Sequence, residues 1–426
     1  MESKEGGLFS HDPAVYYDEE RGYYYTYSTD AGPKGWENPG GQIRRSRDLI
    51  HFEYLGAALK DGAIPEEVAA LTKAKGVWAP DIIREGDEYR LYYSASTFGS
   101  QHSVIGLAVS DNPEGPFVHR GIVVHTTPES PVNAIDANLV REEGTGQHYL
   151  VYGSFWGGIR LLKLDNATGL AAEEGCGRVL ACRDRKSCDT AIEGPYVRFN
   201  SKTGYYYLFV SFDSLTNVYN VRVGRSRKLE GPYLDHNGRR LDDMTCPANH
   251  VGLKLTTGYS FKEGTGFMAL GHNSVLERED GWFMVCHARY EHNKHLHALN
   301  VRRMVFDEEG WPAVSPCLYA GESEEIVPEQ ELCGIYKRID FVLDVKRLCE
   351  RPIPMELEKK GKCLVGDLAG TWSYDPATGW IELVVNGAVE RLRALRGTNR
   401  EEGGETIALT GRNNAGIGVW AIRENQ

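Results

Sequence analysis

This sequence predicts an all-β protein, a five-bladed β-propeller followed by a small C-terminal β-barrel or sandwich. An aromatic-rich hairpin pattern recurs five times between residues 11 and 290, helical 3.6-residue periodicity is almost absent between the copies, and the pattern stops past Pro316. At 426 residues the chain is too long for one ordinary core, and its length fits two or three domains. Five repeated antiparallel units argue for a propeller over a sandwich or an α/β barrel.

Each unit opens on a polar or acidic residue, continues through a short apolar stretch, turns at a segment usually containing Gly, and returns along an aromatic strand. The first runs from Asp12 through Val15-Tyr16-Tyr17, turns at Glu19 to Gly22 and returns as Tyr23 to Ser28. The second starts at Asp81, turns at Gly86 and returns along Tyr89 to Ser94. The third starts at Asp136, turns at Gly144 to Gly146 and returns along His148 to Tyr152. The fourth starts at Glu193, turns near Gly204 and returns as Tyr205 to Ser211. The fifth starts at His272, turns at Gly281 and returns as Trp282 to Cys286. A further strand follows each hairpin (Gln42–Ser46, Val104–Ser110, Ile159–Leu164, Asn220–Ser226, Asn300–Phe306), giving units of three to four strands. The uneven spacing of the copies places loops of different length on a fixed unit. In a propeller the first strand of each blade lines the axis. Asp12, Asp81, Asp136, Glu193 and His272, which open those strands, are therefore expected at one mouth of the channel.

The propeller is assigned to residues 1–321 and the C-terminal domain to 322–426, with the linker in the acidic Glu322 to Glu331 stretch. Short alternating strands at Thr371–Tyr374, Trp380–Val385, Thr406–Thr410 and Gly418–Ile422 are separated by Gly/Asn turns.

Composition narrows the function classes. No apolar run approaches the roughly 18 residues of a membrane helix, so the chain is not expected to span a membrane. A net charge of −12 without Lys/Arg clusters argues against nucleic acid as a partner. The 23 tyrosines suit β structure and surfaces that stack on sugar rings. Nine cysteines, with Cys176, Cys182 and Cys188 spaced unlike a zinc site, read as mostly free thiols. With the polar opening MESKEGGLFSHDP they favour a cytoplasmic protein. A secreted one is expected only if a signal peptide has been trimmed.

A lone Asp or Glu at a strand end is usually a turn or capping residue. Several brought to one mouth are different, because carboxylates held close in a partly desolvated pocket push their pKa values apart and leave one as base and another as acid. Inverting glycoside hydrolysis needs such a pair, with room for a water between base and sugar.

Ser10-His11-Asp12-Pro13, Val77-Trp78-Ala79-Pro80-Asp81, Ser96 to Ser100, Asn133-Ala134-Ile135-Asp136, Gly153 to Gly158, Ala191 to Tyr196 and Gly271-His272-Asn273-Ser274 together resemble glycoside hydrolase family 43, its arabinanase branch in particular, over residues 10 to about 316. The resemblance implies cleavage of α-1,5-linked arabinan or arabino-oligosaccharides with inversion. It implies Asp12 as general base, Glu193 as general acid, Asp136 as the residue that holds up and orients the acid, and His272 as the protein ligand of a largely water-coordinated calcium ion. Substrate contacts carry over to Trp78, Phe98, Asn133, Ser154, Phe155 and Trp156, and Asp81 is expected to be structural or substrate-orienting. The C-terminal domain, with Trp372, Trp380 and Trp420, is similar to the small barrel of the longer arabinanases. Ala137 departs from the Pro common at that position, which bears on the stiffness of the loop.

Other readings stay open beside these. His272 can be a hydrogen-bonded core histidine, and Phe155 and Trp156 can be core packing. Zinc at Cys286 to Tyr290 with His292, His295 and His297 is disfavoured, because these histidines fall in an expected loop; His287 or Arg289 near the calcium water shell is expected instead. Within the family, a β-xylosidase or exo-acting α-L-arabinofuranosidase is the alternative. A sugar-binding propeller without catalysis would lack one of the three carboxylates.

Overall fold

The computed structural model describes residues 6–32, 40–183, 191–344 and 347–424. Five four-stranded antiparallel sheets follow one another in chain order, each with its strands in sequence order, and a closed eight-stranded barrel follows them. The first strands are Ala14–Asp18, Trp78–Glu85, Asn138–Arg141, Ile192–Asn200 and Phe267–Arg278. They contact one another in a ring, first to second and so on to the fifth and back to the first, which places them around the axis. The aromatic second strands, such as Tyr205–Phe212, bury their rings between neighbouring sheets.

A polar device repeats between blades. In or just before each first strand a backbone N–H is donated to a side chain of the preceding blade: Ala79 to Thr29 Oγ1 (2.8 Å), Asp136 to Ser94 Oγ (3.0 Å), Val197 to Asn138 Oδ1 (2.8 Å), His272 to Ser211 Oγ (2.8 Å) and Val15 to Ser274 Oγ (3.1 Å). The last of these closes the ring between blades 1 and 5. Residues 7–9 also pair with the fifth blade, through Phe9 N–H to His297 O and Leu299 N–H to Gly7 O. Such bonds satisfy backbone groups that the ladders cannot reach at the axis.

Two expectations change. Residues expected as a loop after Tyr290 extend the fifth blade instead, Gly281–Tyr290 pairing with Asn293–Phe306 around a tight turn. Asp81 does not reach the mouth. It lies beyond a bulge in its strand and is buried with Oδ2 accepting Leu139 N–H (2.7 Å) and Asn138 Nδ2 (3.0 Å), which makes it a latch between blades 2 and 3.

The barrel runs from Gly334–Asp340 to Gly418–Arg423 and closes by pairing these two strands. Trp372 packs in its core, whereas Trp420 faces the propeller, edge-on to Tyr259 with Nε1 donating to Val314 O at 2.6 Å, and Trp380 packs toward Val305 and Ala313. Val327 and Leu332, in and just after the acidic stretch, are buried in the barrel core. All eight described cysteines are free thiols, and Cys188 lies outside the described residues.

Candidate active site

A cavity of about 430 Å³ opens at the axial mouth, and Asp12, Asp136, Glu193 and His272 line it together with Trp78, Phe98, Asn133, Ser154, Phe155 and Trp156. Local backbone conformation aims them there. Asp12, Asp136 and His272 have positive φ (51°, 63° and 48°), and Gly194 beside Glu193 has φ 56°. Asp and His tolerate the left-handed region better than most residues, which suits them to these sharp openings. Asp136 is pinned twice, by its N–H on Ser94 and by Oδ2 accepting Gly194 N–H at 3.0 Å, so the loop does not depend on Pro at position 137.

Asp12 Oδ2 accepts Thr29 Oγ1–H at 2.6 Å, and Oδ1 faces His11 Nδ1 at 2.8 Å and His272 Nδ1 at 3.1 Å. Burial alone would push the Asp12 carboxyl up, but the two imidazoles outweigh it and hold it well below the usual carboxylate range. Burial opposes charge on His272 too, yet Asp12 and Asp136 push it up to about 9. His287, stacked on His11 with centroids 3.7 Å apart, accepts Asp12 N–H on Nδ1 at 3.2 Å, and burial pushes its pKa well down, so it is neutral.

Glu193 accepts Tyr219 O–H on Oε1 and Ser154 Oγ–H on Oε2, both at 2.8 Å. Burial raises its pKa against these bonds. Asp136 is raised by burial and by the Glu193 charge, so the pair resists double ionisation and retains a proton that Asp12 does not. When Glu193 carries that proton, the Ser154 hydroxyl can accept it.

Phe98 is 83% and Phe155 41% exposed, which sets both at the rim of the cavity and not in the core. Asn133 is buried with Oδ1 unpartnered, an acceptor left for a hydroxyl. His287 and His297 are buried, while His292 and His295 are exposed on the outer hairpin, so the four do not converge on a zinc ion. Thr29, Tyr219 and the role of His11 escaped sequence reading. His11 was legible as the neighbour of Asp12, whereas Thr29 and Tyr219 reach their partners only when the ring assembles.

Comparison with known proteins follows the same lines. The model of glycosyl hydrolases family 43 matches residues 7–312, and that of a C-terminal lipocalin-like domain matches 316–421. An extracellular endo-α-(1→5)-L-arabinanase of Thermotoga petrophila is 30% identical over 97% of this chain and 93% of its own. The crystal structure of the endo-1,5-α-L-arabinanase from Thermotoga petrophila RKU-1 superposes with a TM-score of 0.87 at 28% identity, covering 99% of each chain. Extracellular endo-α-(1→5)-L-arabinanase 2 of Bacillus subtilis is 30% identical over 85% of this chain and 82% of its own. With a propeller that gathers carboxylates in distinct environments and a family match along nearly all of that propeller, the chain belongs to glycoside hydrolase family 43.

Proposed function

We propose that the protein hydrolyses α-1,5-L-arabinofuranosidic bonds of arabinan or arabino-oligosaccharides with inversion of configuration. The observation that carries the reading is the split among three carboxylates in one cavity, one held ionised by imidazoles and two that retain a proton between them. Asp12 takes a proton from a water as its oxygen attacks the anomeric carbon. Glu193 gives its proton to the departing oxygen as the glycosidic bond breaks. Asp136, fixed on Gly194 N–H, keeps the acid's pKa up through its charge. Aromatic faces at Trp78, Phe98, Phe155 and Trp156 stack on furanose C–H groups, and Asn133 and Ser154 meet hydroxyls, as a neutral polymer requires.

Linear arabinan followed by proton NMR tests both halves of the reading. The first reducing-end signal should be the β-anomer, with oligomers of mixed length appearing before the monosaccharide. An α-anomer first would overturn inversion, and arabinose alone from the start would favour the exo-acting alternative.

We further propose a calcium ion held by His272. Its Nδ1 is turned to Asp12, leaving Nε2 without a hydrogen-bond partner among the described residues, and both polar side-chain atoms of Asn273 beside it are buried and unpartnered. Charged in the metal-free pocket, His272 would give up its Nε2 proton on binding the ion, and a single neutral imidazole with waters then fits a hard cation that takes most of its ligands as oxygen. The tighter cluster of His11, Asp12 and His287 fits calcium poorly, having two nitrogens among three donors, and its facing atoms are engaged with one another. Bound there, the ion would add positive charge beneath the carboxylates. Thermal melting should rise on adding calcium to chelator-treated protein, and His272→Ala should abolish that rise. The free thiols support a reducing compartment, whereas the relatives named above are extracellular; cell fractionation decides between them.

A further inference from the structure

A second cavity, of about 920 Å³, lies in the seam between propeller and barrel. Its floor is aromatic and buried (Tyr259, Phe261, Phe267), and Phe9 and Tyr290 flank it half-buried. The barrel contributes Thr398 to Glu401. Glu401 is already committed, accepting the N–H groups of Phe261 and Lys262 and the hydroxyl of Thr265, so its oxygens are taken up by the protein's own donors and the aromatic floor favours an uncharged ligand.

One hairpin separates this cavity from the catalytic one. Arg289 and His297 are directly paired across its two strands and both line the catalytic cavity. Their chain neighbours Tyr290 and Leu296 line the seam cavity, as alternation along a strand requires. The two cavities are thus the two faces of a single two-stranded wall, on the same side of the propeller.

We infer that the seam cavity is a second carbohydrate site, which grips a further stretch of the same arabinofuranosyl chain whose bond is cut next door. Aromatic faces with a polar rim are the chemistry that holds a neutral sugar chain, and proximity over one hairpin gives a polymer simultaneous access to both cavities. The inference rests on the arabinan reading above. It assigns the barrel a part in substrate binding through residues 398–401, although Trp372, Trp380 and Trp420 do not line the cavity.

Calorimetric titration of the Glu193→Gln protein with linear arabinohexaose should show two sites, and one when Tyr290→Ala and Arg400→Ala are added. In the active protein each of these two substitutions should raise KM for linear arabinan, by about tenfold for Tyr290→Ala with its stacking face gone, and leave kcat/KM for arabinotriose unchanged. Arg400→Ala removes a side chain of the barrel and leaves the residues of the hairpin beside Arg289 in place. A single hexaose site, or an Arg400→Ala protein with unaltered KM for the polymer, would overturn the inference while leaving the arabinanase reading in place. Failure of the unaltered protein to cleave arabinan would sink that reading and this inference with it.

Discussion

Asp12 and Glu193 are both buried at the same mouth, yet their neighbours drive them to opposite protonation. Around Asp12 the imidazoles of His11 and His272 outweigh burial, and around Glu193 two hydroxyl donors do not. Asp12→Asn should therefore lose about 10³-fold or more in kcat on every substrate, since no other group takes the water's proton. Glu193→Ala should be as poor on arabinan but recover by orders of magnitude on an aryl arabinoside whose phenolate departs unprotonated. Leaving-group independence of Glu193→Ala, with dependence in Asp136→Asn, would exchange the two roles. Asp136→Asn removes a negative charge beside the acid, so Glu193 should lose its proton at lower pH. The basic limb of the rate profile should then move to lower pH, and a limb that stays in place would show that Asp136 does not hold up the acid. The three carboxylates were legible because each stands in a motif at a strand opening. Tyr219, whose hydroxyl competes for Glu193, stands in none, and only three-dimensional closure reveals it.

At the scale of the strand, the openings that deliver these groups are bulged, and register shifts occur between Trp78 and Asp81, between Glu193 and Tyr196, and between Gly271 and Ser274. The bulge after Glu193 depends on Gly194, which has φ 56° and whose added Cβ would lie 3.0 Å from the His272 ring. Gly194→Ala should strain the backbone and displace His272 together, costing on the order of 1–3 kcal/mol of stability and most of the activity. Chemical denaturation with kinetics on the same samples checks this, and a fully active variant would show that the bulge is incidental. Hairpins were readable from alternating aromatics and Gly turns, because period-2 burial leaves its mark on each strand. Asp81 was misplaced because periodicity does not reveal a bulge, and one extra residue turns a side chain from the mouth to the neighbouring blade. The extension of the fifth blade through Asn293 to His297 was missed because Asn293, Lys294 and His295 are exposed and resemble a loop.

Across the whole molecule, the propeller and barrel share one buried cluster, in which Phe261, Leu270 and Ala288 of the propeller meet Ile339, Ala408 and Trp420 of the barrel. Nothing in either domain's own pattern signals this contact, since each strand keeps its alternation whichever partner covers it. Polar groups cross the seam as well: Arg412 pairs with Asp307 at 2.7 Å, and Lys254, on the outer strand of blade 4, donates from Nζ to Val342 O at 2.8 Å. Burial, aided by Arg222, lowers Lys254 from the usual 10.5 to about 7, against the weaker pull of Asp213 and Glu350. Below pH 7 the ammonium is charged in both folded and unfolded chains, and the folded state bears the full cost of burying it. As pH rises from 7 toward 10.5 the folded chain releases this proton before the unfolded chain does, so stability rises through that window by up to about 1.4 kcal/mol per pH unit from this group. Lys254→Met removes the proton from both states. Denaturant unfolding at a series of pH values should therefore show the variant's advantage over the unaltered protein greatest near pH 6 and shrinking steadily by pH 9.5. A difference that stays constant over that range would mean that Lys254 keeps its charge in the seam, with Asp213 and Glu350 compensating for burial.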